Sequence, residues 1–243
     1  MDVALKRYQK DFPYSYAFGV FPTLELLQHQ PGHALKVLVH SKGQANEGVE
    51  KLRALCADAR VAMETNDRAI ERLSTKESHF AVGVFAKYRI PLDPAADHAV
   101  LVRPSDMGNL GTILRTLLGF GVRNLAVVRP AADLFDPRVV RASMGALFRK
   151  ACADFAGVDE YRHAFPEHAV CAFMTDGRQP LDTAVFPAPC ALVFGNESSG
   201  LGPEYHALGA SIAIPQSGAI DSLSLPVAVG IALYVYSRKR ASR

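Results

Sequence analysis

The chain has 243 residues, 49% hydrophobic and 21% charged, with a formal net charge of +3. This composition is ordinary for a globular protein with one large or two modest cores. No apolar run approaches the roughly eighteen residues needed to span a bilayer, and the N-terminus Met1-Asp-Val-Ala-Leu-Lys-Arg7 lacks a signal-peptide core, so a cytoplasmic protein without a membrane partner is expected.

Along the chain, Lys6, Arg7 and Lys10 form a first basic cluster, read either as a phosphate contact or as a solvated face. Ala34 to Val39 and Ala81 to Phe85 have the composition of strands, with helical patterning in Gly48 to Ala59 and Asp67 to Leu73 between them. Two prolines interrupt the apolar pattern in Ile90-Pro-Leu-Asp-Pro-Ala-Ala-Asp97, which sets a boundary. Residues 1–90 then form a small α/β domain and 97–243 a larger one.

In the larger domain, strands near 98–103, 124–128, 170–174, 191–195 and 211–215 alternate with helical stretches, the pattern of a mostly parallel sheet. After the first strand, Leu110, Ile113, Leu114, Leu117 and Leu118 recur at helical spacing, so a helix begins near Asn109, and Arg115 falls off its apolar stripe. Arg138, Arg141, Arg149 and Lys150 form a second basic cluster. No Gly-x-Gly-x-x-Gly follows the first strand, which disfavours a standard dinucleotide fold. Cys56, Cys152, Cys171 and Cys190 include no Cys-x-x-Cys pair and no zinc-type arrangement, so free thiols and no metal are expected.

Two polar, glycine-bearing loops follow the last two strands: Leu192-Val-Phe-Gly-Asn-Glu-Ser-Ser-Gly-Leu-Gly-Pro-Glu204 and Ile214-Pro-Gln-Ser-Gly-Ala-Ile-Asp-Ser-Leu-Ser224. In an open α/β sheet, ligands sit at the carboxyl ends of strands. Gly195, Gly200, Gly202 and Gly218 are read as allowing tight bends and close approach to a ligand. The final helix, roughly Pro226 to Lys239, is apolar on most of its circumference and needs covering on several sides.

Taken in order, these segments resemble the signature motifs of the SpoU/TrmH branch of the SPOUT RNA methyltransferases. Asn109 and Arg115 match the first motif; Gly195, Asn196 and Glu197 match the second; Ile214, Pro215, Gly218, Ser222 and Leu223 match the third. Ser143-Met-Gly-Ala146 matches a smaller element. Ser224 departs from the pattern, standing where the family has Asn, and so loses the reach and second donor of an amide. Residues 1–90, including Ser74-Thr-Lys-Glu-Ser-His79, resemble the substrate-binding domain found ahead of many SpoU catalytic domains; a generic α/β module is the alternative.

The resemblance implies an α/β fold with a mostly parallel sheet and a C-terminal trefoil knot. It implies transfer of a methyl group from S-adenosylmethionine to a ribose 2′-hydroxyl of RNA, ribosomal or transfer, by a homodimer joined through the knot region. Phe194, Gly195, Asn196, Gly200, Ile214, Pro215, Gly218, Ser222 and Leu223 are then the cofactor-binding candidates, and Asn109, Arg115, Glu197, Ser222 and Ser224 the catalytic ones. Arg115 serves either as base or as an anchor for the RNA phosphate, with Glu197 orienting its guanidinium. A methyltransferase-like RNA-binding protein that has lost its chemistry, and an unrelated nucleotide-binding α/β enzyme, are the alternatives.

Overall fold

The computed structural model describes residues 5–74 and 79–241. Within the Ser74 to His79 motif, residues 75–78 lie outside the described residues. Internal contacts divide the chain into two units: residues up to Tyr88 with Asp133–Arg149, and Arg89–Ala132 with the chain from Lys150 on. The first crossing falls close to the proline-marked boundary. The segment carrying Ser143 to Ala146, however, clusters with the first unit rather than with the rest of 97–243.

The first unit holds a four-stranded sheet in the order β1 (Tyr14–Phe18), β4 (Ala81–Ala86), β2 (Ala34–Val39), β3 (Ala62–Thr65). β4 is antiparallel to both of its neighbours, and β2 and β3 are parallel. Alternation along β2 and β4 sends successive side chains to opposite faces. Leu38, Val82 and Val84 pack with Ile70 and Leu73 of α3 (Asp67–Leu73), whereas Val37, Val39 and Ala81 pack with Leu27 of α1 (Val20–His29) and with Val49 and Leu52 of α2 (Glu47–Ala59). Asn46 and Asn66 cap α2 and α3 by accepting from the backbone N–H of Gly48 and Ala69, which satisfies donors that helix N-termini leave unpaired. After α5 (Pro137–Ala142), the chain turns through Met144 and Gly145 at φ of +50° and +78°. A side chain at Gly145 would collide with Glu25.

The second unit is built on a seven-stranded sheet whose pairings are all parallel. Its order is β7 (Ala151–Phe155), β6 (Asn124–Val128), β5 (His98–Val102), β10 (Cys190–Phe194), β8 (Ala169–Phe173), β11 (Ala210–Ala213), β9 (Gln179–Pro180). Every residue of β5, β6 and β10 is buried. This accounts for their near-continuous apolar runs, because a parallel strand has both faces covered. Val100, Val102, Ala126, Val128, Ala191 and Val193 form one core with Tyr161 of α6 (Val158–Ala164). α4 (Met107–Gly119) buries Leu110, Ile113, Leu114 and Leu117 and packs against α7 (Leu225–Ala241). Because the strands run one way, the loops after β5, β8, β10 and β11 leave from the same edge.

The second basic cluster loses Lys150 from the surface, while Arg138 remains 64% exposed. Lys150 is 2% exposed, with its ammonium donating to the carbonyl of Val122, and Arg138 is held by the Asp136 carboxylate. Among the described residues no helix is long and apolar enough to cross a membrane.

Candidate active site

The loop after β10 is a closed turn. Asn196 and Gly200 exchange backbone hydrogen bonds at 3.2 and 3.0 Å, and the Asn196 Oδ1 accepts from the N–H of Ser198 and Ser199. Gly200 sits at φ +63°, the left-handed region that suits glycine. At Gly195 the constraint is space: a Cβ there would lie 2.5 Å from the Leu201 nitrogen and nearer still to the carbonyl of Gly200. Gly218 carries neither constraint, since its φ is not in the left-handed region and its Cβ position is open. Gly202 would meet only the Glu204 carboxylate, the movable end of a side chain.

Glu197 fastens this turn to the loop that precedes α4. Its carboxylate accepts from the Ser105 N–H at 3.1 Å, the Ser105 hydroxyl at 2.9 Å, the Asp106 N–H at 3.1 Å and the Asn196 amide at 3.2 Å. The same Asn196 amide donates to the Arg103 carbonyl at 2.7 Å. Burial opposes the charge on Glu197, but the backbone N–H groups of Glu197, Ser105 and Asp106 and the Ser105 hydroxyl outweigh it and hold the group below its ordinary value.

The helix expected near Asn109 begins at Met107, and its cap is Asp106, whose carboxylate accepts from the Asn109 N–H at 2.7 Å. Asn109 therefore stands in the first turn of α4. Arg115 lies two turns further along, on the exposed face. The expected pairing of Glu197 with Arg115 is not formed. A carboxylate at the start of α4 finds several donors at hand, while Arg115 is on the order of 13 Å further along the helix axis from Asp106 at about 1.5 Å per residue.

The loop after β11 runs from Ile214 to Ser224, whose carbonyl accepts from the N–H of Val227 and Ala228, both at 3.0 Å, and so opens α7. Pro226 falls in the first turn, where a missing N–H costs nothing.

Between these loops lies a cavity of about 310 Å³. Its lining includes Phe194, Gly195, Asn196, Glu197, Gly200, Ile214, Ser222 and Leu223 among the residues singled out from sequence. Pro215, Gly218 and Ser224 belong to the same loop but are not part of the lining, and neither are Asn109 and Arg115. The cavity adds a stretch that the motifs missed, Phe173 to Asp176 at the end of β8, together with Asp221 and Ala228. The available signal for that stretch was topological, since β8 lies between β10 and β11 and must end on the same edge. Phe173 and Phe194 are buried and stack at 4.5 Å. Asp176, Glu197 and Asp221 are the charged side chains of the lining, which among the described residues contains no Lys, Arg or His.

Residues 98–234 match the SpoU rRNA Methylase family. A 23S rRNA uridine 2′-O-methyltransferase of Streptomyces viridochromogenes is 30% identical over 162 residues, covering 63% of this chain and 56% of its own. A 23S rRNA guanosine 2′-O-methyltransferase of Acinetobacter baylyi is 25% identical over 244 residues, 93% of this chain and 97% of its own. The crystal structure of an AdoMet-bound rRNA methyltransferase from Sinorhizobium meliloti superposes with a TM-score of 0.79 at 28% identity, covering 94% of this chain and 88% of that one. The chain spans little more than half the length of the first curated relatives it matches.

Proposed function

The chain belongs to the SpoU rRNA Methylase family, and on that premise we propose that it transfers the methyl group of S-adenosylmethionine to a ribose 2′-hydroxyl of RNA, ribosomal or transfer. The observation that carries this reading is the character of the cavity: aromatic and aliphatic walls, three carboxylates and no basic side chain. Such a site suits a flat adenine joined to a cationic sulfonium, and it offers no cation to a phosphate. When bound, S-adenosylmethionine supplies a methyl group made electrophilic by the positive sulfur.

The chain's own residues supply place and surroundings. The backbones of Gly195, Ile214 and Leu223, on loops that present carbonyls, would hold the adenosine and sit beside the positive sulfur; a helix N-terminus would be a poorer neighbour for it. Glu197 keeps the two loops in register by its bonds to Ser105 and Asp106. Displacement at carbon would require the attacking ribose oxygen in line behind the breaking methyl–sulfur bond, with the hydroxyl proton passing to solvent water and S-adenosylhomocysteine leaving, so positioning provides much of the acceleration. Arg115 is assigned to the RNA phosphate beside that ribose rather than to proton abstraction, because guanidinium stays protonated in proteins. Asn109, Glu197 and Ser222 are assigned to arranging that hydroxyl, with Ser224 standing where the family has Asn.

We infer further that the chain works as a homodimer. On α7, Val227, Ile231 and Tyr234 are 50%, 37% and 59% exposed and follow one another at helical spacing. A second copy covering this stripe would bring α4 surfaces close to the partner's cavity, since α4 packs on α7, and Arg115 would then serve the partner's site. The knotted threading of the segment after β11 is inferred with the family fold, residues 1–90 are assigned to RNA binding, and the cytoplasm is the expected compartment.

The test is methylation of total cellular RNA with labelled S-adenosylmethionine, followed by fractionation and mapping of alkali-resistant linkages. One resistant linkage establishes 2′-O chemistry and names the substrate. Cofactor binding with no labelled RNA would instead favour the RNA-binding protein without chemistry, the reading that Ser224 in place of Asn supports.

A further inference from the structure

Of the three carboxylates in the cavity, Glu197 is committed to Ser105, Asp106 and Asn196. Asp176 is different. It stands three residues beyond β8, its side chain is 70% exposed, and one of its oxygens is met at 3.1 Å by the Nε2 of His206. His206 itself is only 14% exposed, lying in the single turn Pro203–Ala207. A carboxylate accepts, so the Nε2 of His206 carries the proton. The imidazole, only partly exposed and set in a short turn, thus steers Asp176 through its Nε2–H, meeting one carboxylate oxygen. His206 also draws Asp176 below its ordinary value, the His206 hydrogen bond being the main cause.

The cavity sorts its ligand by polarity. Phe173, Phe194 and Ile212 are buried, which suits a base, whereas Asp176 is exposed and charged. The methyl donor has a matching asymmetry, with an apolar adenine at one end and an amino acid at the other. We propose that Asp176, oriented by His206, takes the α-ammonium of the donor's amino-acid end, Asp176 as the binding residue and His206 as the positioning residue behind it. This rests on the reading of the cavity as the methyl-donor site.

The test is calorimetric titration of the full chain with three probes: S-adenosylmethionine, S-adenosylhomocysteine, and 5′-methylthioadenosine, which lacks the amino acid. Loss of a charge-assisted bond in Asp176→Asn is expected to weaken the first two about tenfold or more, with methylthioadenosine unchanged. Equal weakening of all three would mean that Asp176 contacts the nucleoside or only supports the loop, and no weakening of any would mean that it contacts nothing; either result overturns the proposal. His206→Ala should reproduce the selective loss and His206→Gln, which keeps an N–H donor, should restore part of it. In the Asp176→Asn background His206→Ala should add nothing, and a further loss there would overturn the positioning role. If the unaltered chain binds none of the three probes, the reading of the cavity itself falls and this proposal with it, an outcome distinct from loss of selectivity alone.

Discussion

Gly195→Ala is the sharpest perturbation the site allows, because the added methyl has no direction in which to yield. Its carbon would lie 2.5 Å from the Leu201 nitrogen and closer still to the Gly200 carbonyl. To restore an ordinary contact of about 3.5 Å, the Gly200 to Leu201 backbone must retreat by about 1 Å. That retreat stretches the Asn196 to Gly200 bonds, at 3.2 and 3.0 Å, beyond useful length. Two backbone hydrogen bonds at about 1 kcal/mol each, with overpacking of about 1–3 kcal/mol, give a cost on the order of 3–5 kcal/mol. If the turn opens to relieve it, the bound form bears the cost, and affinity for S-adenosylmethionine falls by a factor on the order of 10² to 10⁴. Calorimetric titration beside a thermal melt is the assay. Gly218→Ala, in the same pair of loops but with open space at its Cβ, should leave both readouts unchanged. An affinity for Gly195→Ala within threefold of the unaltered chain, with an unchanged melt, would refute the reasoning.

Three further outcomes are expected. Burial pulls Lys150 down to about 7; with its folded value below its unfolded one, its cost is full below pH 7 and is relieved as pH rises toward 10.5. Stability of the unaltered chain should therefore climb across that window by up to about 4–5 kcal/mol relative to Lys150→Met, and parallel denaturation curves for the two at pH 7 and pH 9.5 would contradict it. Glu197, held below its ordinary value, contributes stability that is present above the unfolded carboxylate range and lost as pH falls through its folded value. Glu197→Gln should thus cost on the order of 1 kcal/mol near pH 7, solvent screening of this partly exposed carboxylate included, and converge with the unaltered chain in acid, which a urea midpoint series reads directly. Arg115→Ala should abolish methyl transfer while leaving cofactor affinity nearly unchanged; when it is mixed with Gly195→Ala chains, about a quarter of the unaltered activity should return if Arg115 serves the partner's site, and no recovery would place it in its own.

The central strands of the larger sheet were legible because they are largely buried, so β5, β6, β8, β10 and β11 read as apolar runs within a residue or two of their ends. Edge and short elements were not. β7 carries Asp154 among half-buried positions, and β9 has only two residues. In the first unit, β1, α1, β3 and α5 were missed. Gly19, where the chain passes from β1 to α1 at φ +103°, breaks the apolar pattern. Segment 133–149 shows a different failure: nothing in its composition says that it leaves its sequence neighbours to join the first unit, because that choice is made by the packing of α5 against β1.

The site divides along the same line. Gly195, Asn196, Glu197, Ile214, Ser222 and Leu223 converge within one chain, and short-range constraints explain why: a turn closed by its own backbone, and a carboxylate surrounded by the donors of an adjacent loop. Glu197 was expected to reach Arg115, yet it spends its lone pairs on Ser105 and Asp106, which costs no side-chain ordering over two helical turns. Arg115 is left on the exposed face of α4, outside the lining of the cavity. A motif that spaces an Asn and an Arg six residues apart on one helix separates their Cα atoms by about 9 Å along its axis. Neither Asn109 nor Arg115 lines the cavity of its own chain, and the apolar stripe on α7 lies on the helix against which α4 packs, where a second copy would bring another α4 toward it.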